Sequence, residues 1–241
     1  MISKRMALVG DALSHVALPG LALGLLFGFY PFIGAFAFLA ASALVTWRLQ
    51  KSTELPVDAI VGVIFVLALA VGILITPQVD LLEALFGDVS TVTAVDAAVA
   101  VVISVLVVAV LRAIYDKLAL AMISRELAVS NRVDVDRINL VYLLLVSVVV
   151  ALGIKEVGTI LVGAVVIVPA AAARNVATSL SRFSLLSGIF GVVSAVVGIT
   201  IAGAFSLSAE YAGPIVVLTG AVLFALGLAL KFSRRDRVTA Q

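Results

Sequence analysis

The first long apolar run of the chain opens with Gly10-Asp11-Ala12-Leu13-Ser14-His15-Val16-Ala17-Leu18-Pro19-Gly20, a stretch that holds the only histidine. Residues four apart on a helix share one face, with Cβ atoms roughly 5–6 Å apart, so Asp11 and His15 point the same way. A carboxylate and an imidazole can both ligate a metal ion. No further charged residue occurs before Arg48. An ionisable pair at the start of such a run predicts a functional site.

The composition is that of a polytopic membrane protein. Hydrophobic residues make up 63% of the 241 positions and charged residues 12%, with a mean hydropathy of +1.29. Soluble domains are about half apolar and about a quarter charged. The chain has no cysteine, which excludes disulfides and thiolate metal sites. The net charge is only +2 and the basic residues fall in separate loops, so nucleic-acid binding is not indicated.

Windows of about 20 residues, the length that crosses a bilayer as a helix, predict an all-α bundle of eight spans. They lie near 7–28, 31–47, 57–76, 93–115, 138–154, 157–173, 184–206 and 213–231. No stretch is long enough for a soluble domain, and no ATP-binding motif occurs. We therefore expect one membrane domain over 1–241, with a cytoplasmic loop at 116–137, a disordered cytoplasmic tail at 232–241 and no cofactor of its own.

The placement of Lys and Arg predicts the orientation. With eight spans and both termini in the cytoplasm, every basic residue except Lys155 lies on the inner side. The opposite orientation would put almost all of them on the wrong face. The outer side then carries Asp80, Glu83, Asp88, Glu156 and Glu210, a bias that either attracts cations or only reflects the exclusion of basic residues.

Several segments allow two interpretations. Pro19-Gly20 interrupts the first helix, which would either line a cavity or form a kink in a packed bundle. The outer segment 78–88 alternates leucines with acids, and it would either bind a partner or cover the edge of the bundle. The small residues of the sixth span, including four alanines after Pro169, serve helix packing or a narrow passage, and packing is the commoner reason.

The cytoplasmic loop contains a second informative stretch. Ser124 is a good N-cap, Arg125-Glu126-Leu127-Ala128-Val129-Ser130 predicts a short helix, and Asn131 tolerates the left-handed conformation that closes one. Such a helix, held between two membrane spans, is shaped to dock into a groove on another protein. A solvated connector would have the same pattern.

Four stretches give the chain a family resemblance: Arg5–His15 with Leu18-Pro19-Gly20, Leu85-Phe86-Gly87-Asp88, Glu126-Leu127-Ala128, and Val157-Gly158-Thr159 through Pro169-Ala170-Ala171. In this order they resemble the membrane permease subunit of the metal-ion family of ATP-binding-cassette importers, which carry zinc, manganese or iron. Asn131 replaces a usual glycine, and Ala172 replaces a usual threonine. Family members usually carry one more helix before the match to Arg5, so the resemblance implies a bundle that lacks its first helix.

The resemblance implies a function and a set of partners. Asp11 and His15 match the metal-contacting pair, and the helix at Ser124, Arg125, Glu126, Leu127 and Ala128 matches the coupling helix that sits on the ATPase. A separate ATP-binding-cassette ATPase, an extracytoplasmic metal-binding protein, a homodimer and the lipid of the cell membrane are the implied partners. One Asp and one His are too few ligands for a selective site, so further groups or a second copy would complete it.

Other classes of function fit less well. A channel or secondary transporter would need its own coupling ions, and a single Asp–His pair offers few groups to bind them. An intramembrane hydrolase would need a nucleophile beside its base, but Ser14 and His15 are neighbours on a helix and point about 100° apart. A structural membrane protein remains an alternative if Asp11 and His15 only hydrogen-bond each other.

Overall fold

A computed structural model describes residues 7–53, 55–76, 87, 92–205, 207–208 and 211–239, and for 7–11, 57, 155–157, 160, 230 and 232–239 it describes the backbone alone. These residues form nine helices and no strand, which confirms the all-α prediction. The helices are α1 (Ala7–Val16), α2 (Leu18–Phe27), α3 (Pro31–Ser52), α4 (Val57–Ile75), α5 (Ala94–Ile123), α6 (Arg125–Ser130), α7 (Val135–Val176), α8 (Leu180–Ala204) and α9 (Ala212–Thr239).

Six of the helical segments in the described part of the chain are long and apolar enough to cross a membrane. Two more of the eight predicted spans correspond to shorter apolar helices, Ala12–Phe27 and Leu161–Val176. Sixteen residues at 1.5 Å each give about 24 Å, somewhat less than a hydrocarbon core of about 30 Å. The membrane-spanning helical bundle is therefore confirmed, and the count of eight spans remains a prediction.

Two helices continue past the ends of the predicted spans. Helix α5 runs to Ile123, so the first part of the predicted loop at 116–137 is helical. Helix α9 runs to Thr239, where we expected a disordered tail. Arg and Lys are good helix formers, and no glycine or proline follows Gly227, so nothing in this stretch stops the helix.

The predicted fifth and sixth spans follow each other without a loop, as the two halves of α7. Gly158 breaks the helix with φ 72° and ψ 171°, angles open to glycine alone. A Cβ at Gly153 would contact the side chain of Val162 nine residues later. Nine residues of straight helix would separate the two by about 13 Å, so the chain folds back on itself at Gly158.

Helix α7 lies at the centre of the bundle, where it packs against α1, α3, α8 and α9. Its first half runs antiparallel to α3, because Leu39 lies beside Ser147 and Gln50 beside Asn139. The second half runs parallel to α9, because a Cβ on Gly220 would lie 3.2 Å from Val168 and a Cβ on Gly227 would lie 3.2 Å from the carbonyl oxygen of Ala172. The small residues of the sixth span therefore serve close helix packing.

Helices α1 and α2 form one nearly continuous path. Ala17 between them keeps right-handed angles (φ −70°, ψ −23°), and the Leu21 N–H donates to the Ala17 carbonyl at 3.0 Å. Pro19 has no N–H, which removes one bond of the helical ladder at this point. Gly20 then meets Gly34 of α3 backbone to backbone, so that a side chain at either position would overlap the other glycine. The break at Pro19-Gly20 thus lies at a packed helix crossing.

Candidate functional site

The predicted metal pair lies in α1, whose backbone is helical from Ala7 to Val16. Asp11 and His15 are therefore four residues apart on a formed helix, as expected, about 40° apart around its axis. The side chain of Asp11 is outside the described part of the structure. The side chain of His15 is half-buried, with its ring centroid 5.4 Å from that of Phe65 in α4 and the two ring planes tilted by 57°.

His15 occupies the sector of α1 that the bundle leaves partly open. Leu13, Val16 and Ala17, on the other side of the helix, are at most 2% exposed and belong to the main hydrophobic core. Ala12 and His15 are only half-buried. The helical register places Asp11 at the border of that open sector. A metal ion held by this pair would have room for ligands from outside the chain.

The described side chains offer no further ligand cluster. Among them, no group of three or more His, Asp and Glu residues is placed to hold a metal ion. The predicted acidic outer residues and the outer segment 78–88 lie outside the described residues, apart from the backbone at Glu156 and Gly87. The aromatic neighbour Phe65 was not anticipated, since nothing in the sequence relates it to His15.

The predicted cytoplasmic helix forms as α6, over Arg125–Ser130. Ser124 caps it as expected, because its hydroxyl oxygen accepts the Leu127 N–H at 3.2 Å. Ala128 is fully buried, whereas the side chains of Glu126, Leu127 and Val129 are exposed. Leu127 and Val129 are 51% and 59% exposed, so two apolar side chains are available there for contact with a partner.

The residue that closes α6 differs from the expected one. Asn131 keeps φ −86°, and the left-handed residue is Arg132 with φ 58°. The Arg132 N–H donates to the Val129 carbonyl and the Val133 N–H to the Ala128 carbonyl, both at 2.9 Å, which is a Schellman ending. Asn131 contributes through its amide, which donates to the Leu127 carbonyl at 2.7 Å. The expected left-handed turn exists, one residue later than predicted.

A polar cluster that the sequence did not reveal ties α6 to two membrane helices. The Asp136 carboxylate, in the first turn of α7, pairs with Arg125 of α6 at 3.1 Å and with Lys51 of α3 at 3.5 Å. The backbone oxygen of Asp136 accepts the Trp47 Nε1–H at 2.9 Å, and Lys51 lies 4.2 Å above the Trp47 ring. We name Trp47, Lys51, Arg125 and Asp136 the inner cluster.

The inner cluster fixes the position of α6 more than it adds to the stability of the fold. Its three charged side chains are 35–65% exposed, and solvated ion pairs contribute roughly 0.2–1 kcal/mol each. Sequence spacing could not reveal the cluster, because Lys51 and Asp136 belong to helices far apart in the chain. The available signal was the Asp134–Asp136 pair at the start of a helix, which also suits the helix dipole alone.

A family model and several known proteins match most of this chain. The model of the ABC 3 transport family matches residues 1–231. The manganese transport system membrane protein MntC of Listeria innocua is 31% identical, covering 99% of this chain and 88% of its own. The manganese import system permease protein ScaB of Streptococcus gordonii is 33% identical, over 93% of this chain and 81% of its own.

A zinc uptake protein and a solved structure are also similar to this chain. The high-affinity zinc uptake system membrane protein ZnuB of Haemophilus influenzae is 28% identical, over 95% of this chain and 88% of its own. A chain of the structure of PsaBC from Streptococcus pneumoniae in complex with Fab has a TM-score of 0.77 and 31% identity, covering 94% of this chain and 82% of that one. Because the relatives are transporter membrane subunits, the prediction of a transport subunit rather than an enzyme is confirmed, and this chain belongs to the ABC 3 transport family.

Proposed function

We propose that this chain is the permease subunit of an importer for a divalent transition-metal ion. The ion would cross the cell membrane past Asp11 and His15. The observation that carries the proposal is that α1 is helical through both residues, which puts them one turn apart on the same helix, and that the His15 side chain is only half-buried. An ionised aspartate at membrane depth costs on the order of 2.5–3.5 kcal/mol, which a bound cation relieves. The chain has no other histidine and no cysteine to form a competing site.

Two ligands do not complete a metal site, so the remaining ones come from elsewhere. A second copy of the chain, related by a two-fold axis, would supply another Asp11 and His15 and give two oxygens and two nitrogens.

Manganese is the first ion to test, with zinc and iron(II) beside it. A carboxylate and an imidazole suit all three ions, and general affinity order does not choose between them. The two manganese transport proteins described above are 31% and 33% identical to this chain, and the zinc uptake protein is 28% identical. This order of similarity favours manganese.

Two features of the chain indicate its partners: the lack of an ATP-binding motif and the exposed side chains of α6. It has no ATP-binding motif, and α6 presents Glu126, Leu127 and Val129 to solvent on the predicted cytoplasmic side. A separate ATP-binding-cassette ATPase would dock there. An extracytoplasmic metal-binding protein would deliver the ion to the opposite face.

The test is uptake of radioactive manganese, zinc or iron(II) by cells that depend on this chain. Asp11→Ala and His15→Ala should each reduce uptake at least tenfold, because either change removes a ligand. The amount of each variant in the membrane should stay at the wild-type level. Asp116→Ala is the matched control, since this carboxylate is exposed on α5, which in the described part of the chain packs against α6 and α7 and not against α1.

Each outcome separates one class of function from another. Wild-type uptake by the Asp11→Ala/His15→Ala double variant would refute the metal assignment. Uptake that continues after ATP depletion would instead indicate a channel or a secondary transporter. If the wild-type chain carries none of the three ions, the cargo is of another class.

A further inference from the structure

We propose that Asp136 is a positioning residue that fixes the coupling helix α6 against the cytoplasmic end of α3. This inference rests on the proposed function, because it concerns how a docked ATPase would act on the metal pair. Asp136 is the one member of the inner cluster that contacts both α3 and α6. Its carboxylate and backbone oxygen together make three contacts, on three different side chains.

The Asp136 carboxylate compensates two neighbouring positive charges of the inner cluster. Lys51 lies within 3.5 Å and Arg125 within 3.1 Å of the oxygens of the same carboxylate. Both are cations, so removal of the negative charge leaves them facing each other without compensation. The expected result is a shift of the Arg125 end of α6 away from Lys51 of α3, because the two cations then repel each other. The Trp47 bond to the Asp136 backbone oxygen survives a side-chain substitution.

Helix α3 carries this contact to the helices of the metal pair. It is a single helix from Pro31 to Ser52, with Trp47 and Lys51 in its last turns and Gly34 in its first. Gly34 meets Gly20 of α2 backbone to backbone, with no side chain between them that could absorb a displacement. Helix α2 continues directly from α1, which carries Asp11 and His15.

The path therefore runs from the exposed face of α6 through Asp136, α3 and the Gly20–Gly34 crossing to α1. A displacement of α6 by a docked ATPase would shift α3, and with it the helix pair that holds the metal ligands. Without the Asp136 carboxylate, α6 would still bind the ATPase through its exposed side chains, but it would lose its direct side-chain link to α3.

The first experiment uses Asp136→Asn in the complete complex, reconstituted in vesicles with the ATPase that co-purifies with the wild-type chain. We expect wild-type recovery of the ATPase and at least a tenfold fall in metal ions transported per ATP hydrolysed. Asp134→Asn is the matched control, because within the described residues the Asp134 carboxylate contacts Arg137 alone, with its guanidinium at 2.8 Å, and asparagine can keep the N-cap of α7. It should keep the wild-type ratio. An unchanged ratio for Asp136→Asn would overturn the proposal.

A second experiment measures the position of α6 directly. The chain has no cysteine, so Ser52→Cys and Val129→Cys can each carry a spin label on exposed sites of α3 and α6. In the full-length permease the distance distribution should widen or shift with Asp136→Asn and stay unchanged with Asp134→Asn. Equal distributions for all three would overturn the proposal. This measurement needs neither ATPase nor transport, so it stays decisive if the proposed function fails.

A further variant covers the case in which Asp136→Asn does not insert. Arg125→Gln removes the α6 side of the same ion pair at a position that is 65% exposed, where misfolding is not expected. It should change the label distances in the same direction, by a smaller amount, because Lys51 keeps its partner. No change with Arg125→Gln would count against the ion pair as the link.

Discussion

His15 is the residue whose protonation state decides whether the proposed site can work. An imidazole ligates a metal through an unprotonated nitrogen, and the imidazolium form cannot ligate. Histidine is the side chain that ordinarily changes charge between about pH 5 and 8. Metal ion and proton therefore compete for the same nitrogen, and a fall in pH favours the proton.

We expect metal uptake to fall progressively as the external pH is lowered from about 8 to about 5. Initial rates of metal uptake, measured at several metal concentrations, check this expectation, because competition raises the concentration needed for half-maximal uptake. ATP hydrolysis by the complex at each pH serves as the control for damage to the ATPase. Uptake that is constant over this range would speak against His15 as a ligand.

At the residue scale, the sequence predicted the N-cap of α6, but it did not predict which residue takes the left-handed conformation at its end. The Ser124 cap follows from a side chain that reaches an N–H three residues on, which is a local rule. The left-handed position at the end of α6 lies at Arg132 and not at Asn131, whose side chain bonds the Leu127 carbonyl instead. Two local solutions were open to this turn, and local sequence rules do not choose between them.

The short helix α6 is the element on which the coupling hypothesis depends. Replacing Glu126 and Leu127 with glycine should release the ATPase from the purified complex. Two glycines cost an exposed helix about 2 kcal/mol in propensity, and they also delete two of its exposed side chains. Co-purification of the ATPase with the tagged chain measures the effect, and we expect at least a tenfold loss.

A matched alanine pair separates the two contributions. Glu126→Ala with Leu127→Ala removes the same side chains but keeps the helix, because alanine is the best helix former. Equal loss with both pairs would assign docking to the side chains, and loss with glycine alone would assign it to the helix. If the ATPase stays bound to both, the docking surface lies elsewhere, for example on the loop at 174–182.

At the element scale, the sequence predicted which segments are helices better than where they end. Hydropathy follows the apolar run, so it placed an end near 115, whereas α5 continues past Asp116 and Lys117 through a second apolar stretch to Ile123. Nothing in the composition requires a helix to stop at the membrane surface. The fold-back at Gly158 needs one glycine with positive φ and no loop, which window lengths cannot distinguish from a two-residue turn.

At the scale of the molecule, the packing of separate helices was beyond the sequence. The inner cluster and the Gly20–Gly34 crossing both join residues from different helices, and helical periodicity carries no information about partners. The helix ends that meet do agree with the predicted orientation. The cytoplasmic ends predicted for α3 and α7 meet at Lys51 and Asp136, and at the opposite end the Tyr30 hydroxyl donates to Asp96.

The number of crossings remains the open prediction for the whole molecule, and the second half of α7 decides it. If this half crosses the membrane, Ser52 and Thr178 lie on the same side and Ser208 lies opposite. If only the six long helices cross, Thr178 moves to the side opposite Ser52, and Ser208 joins Ser52. The parallel packing of this half against α9 favours the first arrangement, because parallel neighbours cross in the same direction.

Single cysteines at Ser52, Thr178 and Ser208 test this count, because all three are exposed and the chain has no cysteine of its own. In intact cells a membrane-impermeant thiol reagent should label the cysteine at Ser208 and leave those at Ser52 and Thr178 unlabelled. Permeabilised cells provide the control, since all three should then react. Opposite labelling of the cysteines at Ser52 and Thr178 would remove the second half of α7 from the list of spans. The loop at 174–182 would then face outward, where it could not serve a cytoplasmic ATPase.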